Sequence, residues 1–260
     1  MKLSIFAPTI RPHLLEKWYE SALASCSYDF EAVFCGPFEL PESLEKLDNI
    51  KMLHSYSHPT VCAQLAAMAC KGELLYHTVD DVLFYPDKID RAIEQYQENC
   101  IICMKYNEGI DYKGDSIPNE SWYAQATPEY KDISQINPQW GSGGHFLMDR
   151  MSFLKYGGFD CRFEYLVHAN HDLIFRMQKN GWTYELSSDD VSAADHVPGT
   201  TGDHAPIHYA QLTHDWPSFY NVWISPRESS IQLNNWTLYP DVWERRFGNN
   251  KPSSYEEMYS

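Results

Sequence analysis

The sequence predicts an α/β fold built on a mostly parallel, Rossmann-like central sheet flanked by helices, with an aromatic-rich C-terminal extension. Two observations carry the prediction. Short apolar runs at 3–7, 30–35, 50–53, 74–79 and 101–104 alternate with helical patterns, and the connections between them are short, as in βαβ units. A third sets the scale: 260 residues with 18 Tyr, 8 Trp and 12 Phe suffice for one substantial core and argue against disorder.

Taken in order, residues 3–7 are apolar and end at Pro8-Thr9. Pro12 suits a first helical turn, with Leu14, Leu15, Trp18 and Ala22 on one face. The run 30–35 is a second strand, closed by Gly36-Pro37. A polar segment with a short helical pattern leads to the weaker strand 50–53. Residues 61–71 hold strong helix formers and stop at Gly72. The strand 74–79 follows, then a helix over 87–97 and the strand 101–104. Residues 106–139, with Pro118, Pro128 and Pro138, show no sustained period and are expected to form a long loop. Past it, Gly143 and Gly144 form a turn into a strand, and would let backbone approach a ligand or simply make the turn. A short helix carries Met151, Phe153 and Leu154, the KYGGFD turn follows, and 169–180 is an amphipathic helix with Asp172 expected in its first turn.

The stretch 72–88, GELLYHTVDDVLFYPDK, organises the rest. Its strand ends in Asp80 and Asp81, at the carboxyl edge where open α/β sheets bind ligands. Two adjacent carboxylates repel unless a positive charge sits beside them, and a divalent metal is the usual answer. An exposed acidic turn is the alternative; the flanking strand and helix favour the metal.

The net charge of −16 argues against phosphate-neutralising nucleic-acid binding and against a polybasic membrane anchor. No stretch approaches the roughly 20 apolar residues needed to span a bilayer. The N-terminal apolar run is too short for a secretion signal. Seven scattered cysteines fit a reducing, cytoplasmic compartment, with Cys100 and Cys103 expected as small buried hydrophobes. His196, His204, His208 and His214 crowd one segment, but Pro206 and the missing Glu weaken a zinc-hydrolase reading.

The ordered motifs PTIRP, QLAAMACKGELL running into VDDV, GG before a strand, GGFD, HDLIFRM and DHVPGTT together resemble a family 2 glycosyltransferase of the GT-A fold over residues 1–201. The resemblance implies Asp81 as ligand of Mn²⁺ or Mg²⁺, completed by His196, with Asp80 beside it on the sugar or ribose. It implies that Pro8, Thr9, Arg11, Gly36, Gln64, Gly143 and Gly144 face the nucleotide sugar. Asp172 falls at the acidic helix start that supplies the general base. Two departures stand out. Cys35-Gly36-Pro37 replaces the usual base-recognising Asp, and Asn170 occupies the usual base position, leaving Asp172 first and His171 second as proton acceptor.

The expected activity is metal-dependent, inverting transfer of a sugar from a nucleotide-diphosphate donor to a glycan or other hydroxyl acceptor. Metal and base would come from different loops. A catalytically impaired sugar-nucleotide or glycan-binding protein and a nucleotidyltransferase are the alternatives. The expected division is a domain over 1–206, with a nucleotide-binding half (1–104) and an acceptor half (105–206), followed by an extension over 207–260. The extension's Trp216, Trp223, Trp236, Tyr239 and Trp243 are expected to cover the domain, line an acceptor groove or form a subunit interface in a homo-oligomer.

Overall fold

A computed structural model describes residues 1–110, 120–122, 145–195 and 205–224. Among them nine strands form one sheet, in the spatial order 50–54, 30–36, 3–8, 74–77, 146–149, 100–110, 183–195 and 82–84, with 120–122 paired to 100–110. The first half follows the alternation expected from sequence: β1 (Leu3–Pro8), α1 (Leu15–Ser25, entered through a 3₁₀ turn at Pro12–Leu14), β2 (Phe30–Gly36), α2 (Glu42–Glu45), β3 (Ile50–His54), α3 (Pro59–Ala69) and β4 (Leu74–His77). All three pairings in this half are parallel: β1 with β2, β1 with β4 and β2 with β3.

The second half is mixed in direction. β5 (Val82–Phe84) and α4 (Lys88–Gln95) lead to β6 (Cys100–Ile110), β7 (Glu120–Trp122) and β8 (Phe146–Asp149), then α5 (Arg150–Lys155), α6 (Leu166–Lys179) and β9 (Thr183–Asp195). β8 runs antiparallel to both β4 and β6, while β9 is parallel to β6 and antiparallel to β5. The sheet is therefore mixed: all pairings within the N-terminal half are parallel, and the second half combines the parallel β6–β9 ladder with antiparallel ones. β6 and β7 also extend into what the sequence suggested was the start and middle of a long loop.

Two further strands escaped the sequence pattern. β5 is three residues long, and β9 reads TYELSSDDVSAAD, too polar to announce a strand. What makes β9 a strand is its long ladder with β6 and its short one with β5. Residues 205–224 form a helical run that begins with α7 (Ala205–Ala210) and passes through π-helical turns on either side of α8 (Trp216–Phe219).

Alternation within the strands divides the core between the two faces of the sheet. Phe6, Val33, Cys35, Leu75, Phe146 and Met148 point toward α3, α5 and α6, while Ile5, Ala7, Phe34, Tyr76 and Leu147 point toward α1 and α4. Each such large side chain contributes about 1.5–3 kcal/mol on full burial, so the two layers hold the sheet edge rigid where its loops emerge. Cys100 and Cys103 are buried on opposite faces of β6, as small apolar residues would be. Among the described residues no helix is long and apolar enough to cross a membrane.

Candidate active site

Register explains why residues far apart in sequence meet. In β1, Phe6 pairs with His77 of β4, and Pro8 pairs with Cys35 of β2. Three parallel strands thus end side by side: Gly36 closes β2, and the segments after β1 and β4, carrying Thr9 and Arg11 and Asp80 and Asp81, leave from the same edge. β8 runs the other way and begins there, with Phe146 opposite His77.

Asp80 organises this edge. Its Oδ2 accepts from Thr9 Oγ1 at 2.9 Å, Ile10 N at 3.0 Å and Arg11 N at 3.1 Å, and its Oδ1 accepts from Arg11 Nη1 at 2.6 Å. The same Nη1 donates to Asp81 Oδ2 at 3.0 Å. Asp80 and Asp81 are only 4% and 5% exposed and Arg11 7%. Buried carboxylates need a partner, because losing water penalises the charged form; here a guanidinium bridges both. Asp80 is therefore tied to the loop after β1.

Gly36 has a steric reason of its own. A Cβ there would lie 1.8 Å from the carbonyl oxygen of Thr9, because Thr9 N donates to Cys35 O at 2.9 Å and draws the two backbones together. Pro8 ends β1 just before this contact. Gln64 looks elsewhere: its Oε1 accepts from Phe159 N at 2.7 Å, and its amide clamps the GGFD turn, where Gly158 has φ +65° and a Cβ would meet Oε1 at 2.3 Å.

α6 begins at Leu166, three residues earlier than the sequence pattern indicated, so Asp172 lies in its second turn. It is fully buried. Its Oδ2 accepts from Arg176 Nε at 2.7 Å and its Oδ1 from Trp223 Nε1 at 2.9 Å. Burial raises its pKa, opposed by Arg176. Arg176 also donates to the carbonyls of Tyr156 and Gly158, which joins Asp172 to the same GGFD turn that Gln64 holds. His171, 9% exposed, stacks on Phe175 and meets Phe219 edge-on. Asn170 is fully buried, with no hydrogen-bond partner for either amide atom among the described residues. Gly143, Gly144 and His196 lie outside the described residues.

One pair went unremarked in the sequence. His145, at the start of β8, meets Thr78 Oγ1 through Nδ1 at 2.9 Å, and its ring lies 4.4 Å from that of Tyr106. Burial lowers its pKa to about 3, so it is neutral at physiological pH. The signal was available, since His145 directly precedes an apolar run and Thr78 lies next to the end of another.

Mn²⁺ and Mg²⁺ take oxygen ligands, and at nucleotide sites one or two protein carboxylates commonly suffice, with waters and phosphate oxygens completing the shell. Among the described residues no group of three His, Cys, Asp or Glu side chains could hold one. Asp80 is committed to four donors, and Asp81 already accepts from a guanidinium. Among the described residues the edge offers a dication Asp80 and Asp81 alone, and His196 lies outside them. Arg11 brings a side-chain positive charge to both carboxylates.

No protein-family model matches the chain, and no curated protein matches it by sequence. Solved structures do. GalNAc-T7, solved with UDP, GalNAc and Mn²⁺, is similar over 99% of this chain and 56% of its own, with TM-score 0.56 and 12% identity. S. aureus TarS 1-349 in complex with UDP-GlcNAc is similar over 79% of this chain and 60% of its own, with TM-score 0.48 and 14% identity. TarS 1-349 alone gives TM-score 0.48 at 13% identity, over 75% and 60%. The chain thus spans somewhat over half the length of these proteins. The likeness to GalNAc-T7 carries the conclusion that the resemblance suggested: the fold is that of the GT-A glycosyltransferases.

Proposed function

We propose that the chain is a glycosyltransferase that moves a sugar from a nucleotide-diphosphate donor to a hydroxyl acceptor, a glycan among them, with inversion. The observation that supports it is the convergence of Thr9, Arg11, Asp80 and Asp81 at the carboxyl edge of β1 and β4, where α/β folds take nucleotide ligands. Thr9 and Arg11 belong to the segment expected to face the donor. Asp80 holds that segment in place, so its effect on donor binding is through positioning. Gln64 acts through the GGFD turn in the same way. Of the two acids and bases on α6, His171 is the better proton acceptor, because both oxygens of Asp172 are already taken by Arg176 and Trp223.

A second reading, a sugar-nucleotide or glycan-binding protein without turnover, draws on Asn170 at the usual base position and on the sealed carboxylate of Asp172. Nucleotide release from a panel of nucleotide sugars, with and without hydroxyl acceptors and with and without Mn²⁺, separates the two. Acceptor-dependent release supports transfer. Donor-induced thermal stabilisation with no release supports the binding reading, and neither effect with any donor overturns both.

A further inference from the structure

We infer that Arg11 is the resident cation of the Asp80–Asp81 pair, and that a divalent metal reaches Asp81 only by displacing it. The two carboxylates are adjacent in sequence and nearly fully buried, a placement that needs positive charge within a few ångströms. Arg11 Nη1 supplies it, lying 2.6 Å from Asp80 Oδ1 and 3.0 Å from Asp81 Oδ2. A guanidinium does not surrender its proton at any physiological pH. Unlike a lysine, it cannot make room for a dication by becoming neutral; it has to move.

The main chain cannot move with it. Arg11 N donates to Asp80 Oδ2 at 3.1 Å and to Thr9 Oγ1 at 3.3 Å, and Ile10 N is held by the same Asp80 oxygen. Only the side chain can swing out, and doing so strips both carboxylates of their shared donor. A metal at Asp81 and the guanidinium therefore compete for the same carboxylate, since two cations held against it repel each other. The free protein accordingly holds a dication weakly, and Arg11 sets how weakly.

The test is an electron paramagnetic resonance titration of the full chain with Mn²⁺ alone. Arg11→Gln is expected to bind Mn²⁺ more tightly than the parent by about tenfold or more, since the competing charge is gone. Adding Asp81→Asn in that background should return the affinity to the parent's level. Equal affinity in the parent and Arg11→Gln, or a gain that survives Asp81→Asn, overturns the inference. Circular dichroism checks each variant for folding. If Arg11→Gln does not fold, Arg11→Lys decides, because a single ammonium bridges two carboxylates less well than a planar fork. A gain of about threefold or more then supports the inference, and a smaller one overturns it. The inference rests on reading this edge as the donor site, but the titration contains no nucleotide sugar. Its failure is therefore distinct from a failure to release nucleotide.

Discussion

Replacing Asp172 by Ala removes the acceptor that two buried donors share. Arg176 Nε lies 2.7 Å from one carboxylate oxygen and Trp223 Nε1 2.9 Å from the other, and the Asp172 and Arg176 side chains are 0% and 7% exposed. An exposed helical pair at this spacing is worth only ~0.3–0.5 kcal/mol. Breaking a buried pair from one side costs about 3–5 kcal/mol, because the remaining charge stays out of water. The Tyr156 and Gly158 carbonyls still hold Arg176, which places Asp172→Ala near the lower end, about 3 kcal/mol. Asp172→Asn keeps the shape but offers one oxygen to two donors, and should cost less, about 1.5–3 kcal/mol for one lost charged hydrogen bond.

The pH dependence carries a sign of its own. Burial raises the pKa of Asp172, so the folded chain binds this proton more tightly than the unfolded one. The group's contribution to stability is then greatest in acid and declines as pH rises above the unfolded value. Asp172→Asn should remove that decline. Urea melts followed by circular dichroism, extrapolated to water, measure each variant. A loss below about 1 kcal/mol for Asp172→Ala would refute the buried-pair argument. Unchanged stability with abolished sugar transfer in Asp172→Asn would instead identify Asp172 as the proton acceptor.

Three further outcomes are expected. Gly36→Ala drives a Cβ to 1.8 Å from the Thr9 carbonyl, so the loop must shift; a loss of about 1–3 kcal/mol is expected in urea melts, together with weaker donor-induced thermal stabilisation. Asp215, fully buried, accepts from the backbone N–H groups of Glu164 and Tyr165 just before α6; Asp215→Ala should cost at least about 1–3 kcal/mol, and a variant that melts with the parent would show that the cap does not hold the helix start. Burial lowers the pKa of His145 to about 3 and of His168 to about 4, so both are neutral when folded and take up protons on unfolding. Stability should be at its full value above pH 6.5 and fall as pH drops toward 4, by up to about 1.4 kcal/mol per pH unit for each histidine; His168→Phe should shallow that slope, and an unchanged slope would refute the assignment.

The N-terminal half was legible in the sequence because its strands are short, apolar and separated by helices with clear starts and stops, patterns that local chemistry writes directly. β1, β2, β3 and α3 fall within a few residues of where periodicity, proline and glycine put them. The acidic pair was legible too, down to its need for a nearby positive charge. Only the tertiary structure shows which side chain brings one to it. The pairing of Phe6 with His77 brings Arg11 from about 70 positions away onto Asp80 and Asp81, and no local signal reports a contact of that separation. The same holds for β9, a polar segment made into a strand by its pairing with β6 and β5. It holds for Asp172, whose partner Trp223 lies 51 residues further along. The residue types announced charge and hydrogen-bonding capacity; which groups satisfied them was settled by long-range packing, where burial makes an unpaired charge too costly to leave.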